Sequence, residues 1–260
     1  MTILYFLVGL VASIIGAIAG LGGGIIIKPV LDFLGHYDVT TIGVLSSSTV
    51  LSMAIVSLIN AFRSGSKVKL KIGITLAVGS IVGGLIGNFI FEILIDSMKN
   101  KDFVTVIQAG ILAILMTSIF ILDHKRKNMR TANLENIFLI FMAGIGLGGI
   151  ASFLGIGGGP LNIPILMLAF SMTAKEAALN SIFIIFFSQV SSLLLTATTT
   201  GFSPFNLEML WVMIVGGALG GWIGRMISRK MDDAHVVKLF HILLLVVLIL
   251  NIYNMINYLI

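Results

Sequence analysis

The chain has 260 residues, of which 58% are hydrophobic and only 10% charged, with a mean hydropathy of +1.12. A water-soluble domain carries about 25% charged residues, so there is too little polar side chain here to cover a soluble body. The net charge is +5 and cysteine is absent, which removes disulfides and thiolate metal sites. The basic residues stand in short clusters between apolar runs, the pattern that orients a membrane protein rather than one that holds nucleic acid.

In chain order, ten apolar segments are predicted, over 3–19, 24–34, 41–62, 72–95, 103–122, 136–153, 160–170, 177–197, 207–227 and 236–259. The opening MTILYFLVGL has no basic leader and no small-residue cleavage site, so it reads as a first membrane segment. The runs do not alternate apolar and polar residues as barrel strands do. The fold class is therefore an all-α polytopic membrane protein. The second and seventh segments are short. Eleven residues reach only about 16 Å, roughly half the hydrocarbon core.

The most polar stretch, DHKRKNMRTANLE from Asp123 to Glu135, divides the chain almost in half, and the halves match. A shift of 135 puts Gly20 on Gly155, Gly22, Gly23 and Gly24 on Gly157, Gly158 and Gly159, Pro29 on Pro164, and Ser46 on Ser181. A shift of 137 puts Gly83, Gly84 and Gly87 on Gly220, Gly221 and Gly224. Matches in one order at a nearly constant offset indicate a duplicated repeat, with a first membrane repeat over 1–122, a cytoplasmic linker over 123–134 and a second repeat over 135–260. Five segments per repeat is an odd number, so the two repeats are expected to be inverted. The charges agree. Arg63, Lys67, Lys69 and Lys71 follow segment 3, Lys125, Arg126, Lys127 and Arg130 fill the linker, and Arg225, Arg229, Lys230 and Lys238 follow segment 9. These loops fall on one side, the cytoplasmic one by the positive-inside rule, which leaves both termini outside. The loop after segment 8, counterpart of the basic loop after segment 3, has no Lys or Arg.

The duplicated glycines break helices inside the membrane, where backbone groups need partners and irregular chain is tolerated only against protein or water. Pro160 suits a new helix start, and Pro29 and Pro164 sit further on in each short segment. Short broken or re-entrant helices, their breaks meeting near mid-membrane, are the expectation. A helix starting at Gly24 or Pro160 aims free N–H groups and a positive dipole end at the break, which favours an anion. Candidate substrate contacts are thus Gly22, Gly23, Gly24, Gly157, Gly158, Gly159 and Asn162. Ser46, Ser47, Asn180 and Ser181 are expected to start the third and eighth helices, either meeting the substrate or capping. Gln189, in mid-segment, should face the interior. The glycines of segments 4 and 9 are read as close-packing positions.

These motifs, the paired Gly-x-Gly-Gly-Gly-x4-Pro elements at Gly20–Pro29 and Gly155–Pro164 with the later Gly-Gly-x-x-Gly pairs, resemble the TauE/SafE sulfite exporter family, also called the toluene-sulfonate uptake permeases. The resemblance spans nearly the whole chain. It implies a secondary transporter of the prokaryotic inner (cytoplasmic) membrane, moving sulfite, sulfonate or sulfoacetate-type anions by alternating access, with no cofactor and no catalytic or metal-binding residue. Residue chemistry alone reads only an anion.

Lys28, opposite Ile163 in the repeat, stands either beside the anion or snorkels to the surface. Glu92 and Asp96 are interfacial carboxylates or a proton-coupling pair. Export of an anion from an inside-negative cell needs no coupling, since each charge gains about 2.3 kcal/mol per 100 mV, whereas uptake would draw on H+ or Na+. An anion channel through the same centre and a membrane scaffold are the rival readings. The oligomeric state is left open.

Overall fold

A computed structural model describes residues 1–97, 101–125, 133–154, 156 and 160–259. They form an all-α structure: α1 Thr2–Ala19, α2 Gly24–Leu34, α3 Val39–Arg63, α4 Leu70–Ser97, α5 Lys101–Lys125, α6 Ile137–Phe153, α7 Asn162–Ala169, α8 Ala174–Thr199, α9 Leu210–Lys230 and α10 Asp233–Leu259. Six of these, α1, α3, α4, α8, α9 and α10, are long and apolar enough to cross a bilayer. Their outer faces carry large apolar side chains such as Phe89 (62% exposed), Trp211 (73%) and Ile249 (66%). Apolar patches of this extent mark a lipid-facing surface. The protein is a polytopic membrane protein.

The two short helices fold back on their predecessors. The end of α2 meets the start of α1, where the Tyr5 hydroxyl and His36 Nδ1 share a hydrogen bond of 2.8 Å. At the start of α6, Leu134 N donates to Ala169 O at the end of α7, at 2.9 Å. Each pair is a hairpin whose two ends lie together. The first bend is built from glycine. Gly20, Gly22 and Gly23 all have positive φ (71°, 84° and 75°), a conformation costly for residues with a Cβ. Gly16 allows the returning chain to touch α1, since a Cβ there would overlap Gly23.

α7 begins at Asn162 rather than at Pro160. Pro164 has no N–H to give the Pro160 carbonyl, so the ladder opens with Ile165 N to Leu161 O at 3.1 Å. α3 and α8 begin earlier than their apolar runs. Asp38 caps α3 by accepting from Thr41 N at 2.9 Å. Thr173 and Glu176 form a reciprocal capping box on α8. Ser46, Ser47, Asn180 and Ser181 consequently lie inside α3 and α8, not at their starts, and cap nothing.

Glycines set the helix pairing. On α4, a Cβ at Gly79, Gly83 or Gly87 would strike the backbone of Phe141, Ile145 or Gly149 of α6. On α9, Gly216, Gly220 and Gly224 meet Phe6, Leu10 and Ile14 of α1, while Gly217 and Gly221 meet Thr49 and Met53 of α3. Numbers rise together along all three seams, so each pair is parallel. Ser52 and Ser57 of α3 reinforce the last by donating to Ile214 O and Gly221 O at 3.0 and 3.2 Å. Without a hydrophobic force between helices in lipid, such close backbone approach and bonding supply the association. α3 and α8 also pack together. The residues that follow α3 lie beside the first turns of α8, where Lys69 N donates to Asn180 Oδ1 at 3.1 Å. α3 and α8 therefore run antiparallel.

Candidate functional site

The two hairpin bends come together at the centre of the molecule. A Cβ on Gly24 would overlap Ile156 O and lie 3.0 Å from Ser46 Oγ, so the first residue of α2 rests against the bend between α6 and α7. Gly20 is seated on Ala178 of α8. Ser181 Oγ donates to Gly20 O at 2.6 Å and accepts from Asn162 Nδ2 at 3.1 Å. This short chain ties the first bend, α7 and α8 into one buried unit. Gly22 lies between Val50 of α3 and Ile185 of α8, an apolar floor.

Above that floor is a cavity of about 380 Å³. Thr40, Gly43 and Ser47 of α3, Asn88, Phe91 and Glu92 of α4, Ser152 of α6, and Ser192, Leu193 and Thr196 of α8 line it, with Lys28 of α2. It lies where α3 begins and where α4 and α8 end. Asn88 Nδ2 donates to Glu92 Oε1 at 3.2 Å, which orients the one carboxylate that the described residues bring to the lining.

Lys28 is the decisive residue. It is 4% exposed and does not snorkel. Its ammonium donates to Gln108 Oε1 of α5 and, at 2.7 Å, to Leu154 O at the end of α6. Gln108 Nε2 in turn donates to Phe153 O at 2.6 Å. The carbonyls at a helix C-terminus carry partial negative charge and are left without intrahelical donors. Lys28 and Gln108 fill that need for α6. An ammonium has three donors, two of which meet these oxygens, and Lys28 stands at the cavity wall. Asp32, one turn along α2, is buried as well and offsets part of the charge.

The other candidates divide. Ser47 lines the cavity. Ser46 is buried at the meeting of the bends and Gln189 is buried on α8, and among the described residues Ser46 Oγ and Gln189 Oε1 have no hydrogen-bond partner. Gln189 is one turn below Ser192 and Leu193 on α8 and one above Ile185, between cavity and floor. Asn162 and Ser181 are spent on each other and on Gly20. Asn180 is spent on Lys69 N and Glu176 O, away from the cavity. Pro29 O accepts from Asn254 Nδ2 of α10 at 3.0 Å. Gly157, Gly158 and Gly159 lie outside the described residues. Glu92 was singled out by sequence, whereas Gln108, Asn88 and the polar lining from α8 were not. A lone amide within the apolar fifth segment is the signal that could have found Gln108.

A family model described as sulfite exporter TauE/SafE matches residues 5–251. The chain belongs to the TauE/SafE family. Membership makes it a membrane transporter and not an enzyme. A probable membrane transporter protein of Bacillus subtilis strain 168, YunE, is 28% identical over 94% of this chain and 95% of its own length. Another relative, the probable membrane transporter protein MJ0441 of Methanocaldococcus jannaschii, is 26% identical over 87% of this chain and 88% of its own. No solved structure gives a significant match.

Proposed function

We propose that this TauE/SafE protein moves small oxyanions across the inner membrane of a prokaryote by alternating access, and that the anions are sulfur-containing, of the sulfite, sulfonate or sulfoacetate type. The observation that carries the anion is Lys28, a buried ammonium at the wall of a cavity that holds Glu92, apolar side chains such as Val44, Phe91 and Ile95, and the hydroxyls and amide of Ser47, Ser192, Thr196 and Asn88. Such groups suit several oxygens on a small anion. The sulfur follows from the family. Ser46, Ser47 and Gln189 complete the path towards the centre, with the backbone of Gly22–Gly24.

The architecture behind this reading is two inverted repeats, 1–122 and 135–260, joined by a cytoplasmic linker. Three features support it: the parallel α4–α6 and α9–α1 seams, the antiparallel crossing of α3 with α8, and the two hairpins. Each is what a twofold axis in the membrane plane would generate. The cavity then opens outward, on the side of the termini, and the basic loops face the cytoplasm. A rocking of the helices about the Gly22–Val50–Ile185 floor would close the cavity and open a counterpart below.

The test is reconstitution into liposomes with radiolabelled sulfite, sulfate, sulfoacetate and carboxylate controls. Saturable flux with counterflow of a sulfur anion is expected. Linear flux without counterflow would favour a channel, and no flux of any anion would remove the anion reading. Accumulation driven by a pH jump or a Na+ gradient would replace uncoupled export with coupled uptake.

A further inference from the structure

At the end of the molecule opposite the cavity, the last turns of α9 bury a guanidinium. Arg225 is 5% exposed. One terminal nitrogen donates to Ser66 Oγ at 2.8 Å. Among the described residues its Nε has no partner and no carboxylate pairs with it. Three positions on, Ser228 is fully buried and its Oγ also lacks a partner among the described residues. Buried polar groups are satisfied as a rule, and a buried cation without a counter-ion is costly. Residues three apart on a helix share a face. The turn therefore holds an incomplete ligand shell, one member of which is cationic.

The repeat relates this turn to the cavity. A shift of 137 puts Asn88 on Arg225, Phe91 on Ser228 and Glu92 on Arg229, so three cavity-lining residues of α4 fall on this stretch of α9. The α8 lining residue Ser192 falls back by 135 onto Ser57 of α3, which bonds Gly221 O of α9 one turn before Arg225.

We infer that the Arg225–Ser228 turn is a loading site for a small oxyanion on the basic face of the transporter, closed in this conformation. The inference rests on the transport reading above. It is the cavity's counterpart, with its chemistry changed. Where the open cavity offers Asn88 and Glu92, the closed one offers Arg225 and Arg229. A guanidinium presents its donors in a fixed fork that matches the oxygens of an oxyanion. The anion is held by cations on the basic face and meets a carboxylate on the other, which favours capture from the basic side and release at the cavity.

The test uses the full chain in liposomes of sorted orientation, with radiolabelled sulfite as the probe and KM measured from each face. Arg225→Gln is expected to raise KM from the basic face about tenfold or more while leaving KM from the cavity face within about twofold, and Arg225→Lys to fall between. No rise, or an equal rise from both faces, would overturn the site. Wild-type protein without saturable sulfite flux would overturn the transport reading and this inference with it, whereas normal flux in wild type and Arg225→Gln alike would overturn the inference alone. Should Arg225→Gln fail to fold, Ser228→Cys serves, since the chain has no other cysteine. A membrane-impermeant anionic thiol reagent should label it from the basic face faster than a cationic one, and sulfite should slow the labelling. Labelling indifferent to reagent charge and to sulfite would overturn the site.

Discussion

Replacing Lys28 by Met keeps most of the length of the side chain and removes its charge and all three donors. Two opposing effects follow for stability. Gln108 Oε1 and Leu154 O lose their donor, at about 1–3 kcal/mol for each buried acceptor. Against this, a charge no longer has to be held out of water, which recovers several kcal/mol. The two nearly cancel, and Tm in detergent should move little. Anion binding has no such compensation. One charge-assisted hydrogen bond contributes about 1.5–3 kcal/mol, so its loss weakens binding by about tenfold to 150-fold. Binding of radiolabelled sulfite to purified protein, with thermal shift measured alongside, separates the effects. Lys28→Arg should retain part of the affinity. Unchanged affinity in a folded Lys28→Met protein would refute the role given to the ammonium, and would mean that Lys28 serves only to cap α6.

Ser181→Ala removes two buried hydrogen bonds, to Gly20 O and from Asn162, and should cost about 2–4 kcal/mol, read as a lowered Tm without a change in sulfite affinity of the surviving fold. Gly83→Val drives a side chain into Ile145 O of α6 and should destabilise by about 1–3 kcal/mol or more, whereas Gly84→Val, where a Cβ meets nothing, should leave stability, read by thermal unfolding, within about 0.5 kcal/mol of wild type. Gly23→Ala puts a Cβ at positive φ and 2.9 Å from Ala12 O, and should cost more than the roughly 1 kcal/mol of the left-handed conformation alone. Asp38→Ala and Thr173→Ala should each cost about 1 kcal/mol by loss of a cap, measured by thermal unfolding.

The ten segments were legible because the bilayer imposes a simple rule on composition, and each predicted run coincides with a helix. Their starts were less so. Asp38 and Thr173 lie outside the apolar runs, and their capping bonds carry α3 and α8 upstream by two or three residues. The bend at Gly20–Gly24 was legible because positive φ needs glycine. The direction in which α2 leaves it was not, since that depends on Tyr5 meeting His36 across 31 positions. The cavity was the least legible feature. Its lining comes from the ends of α3, α4 and α8, far apart in sequence, and Lys28 finds Gln108 across 80 positions and Leu154 across 126. Asn180 has the right chemistry for an anion, but two backbone groups already occupy it. Glu92 was named as an interfacial carboxylate, and its place in the cavity depends on α4 ending beside α8.

The seams of α1 with α9 and of α6 with α4 bear on how the chain is made. α1 leaves the ribosome first, yet the helix its backbone touches most closely is completed some two hundred residues later. Until then its glycine-bearing face has only lipid beside it, and Gly9 waits for Met213. Neither half owns a finished pair of seams, because each hairpin is clasped by a long helix of the other half. Insertion into the bilayer and assembly are thus separate events for this protein. A gene severed in the polar stretch between α5 and α6 would encode two polypeptides that are each inserted but unassembled, and that become a transporter only on meeting.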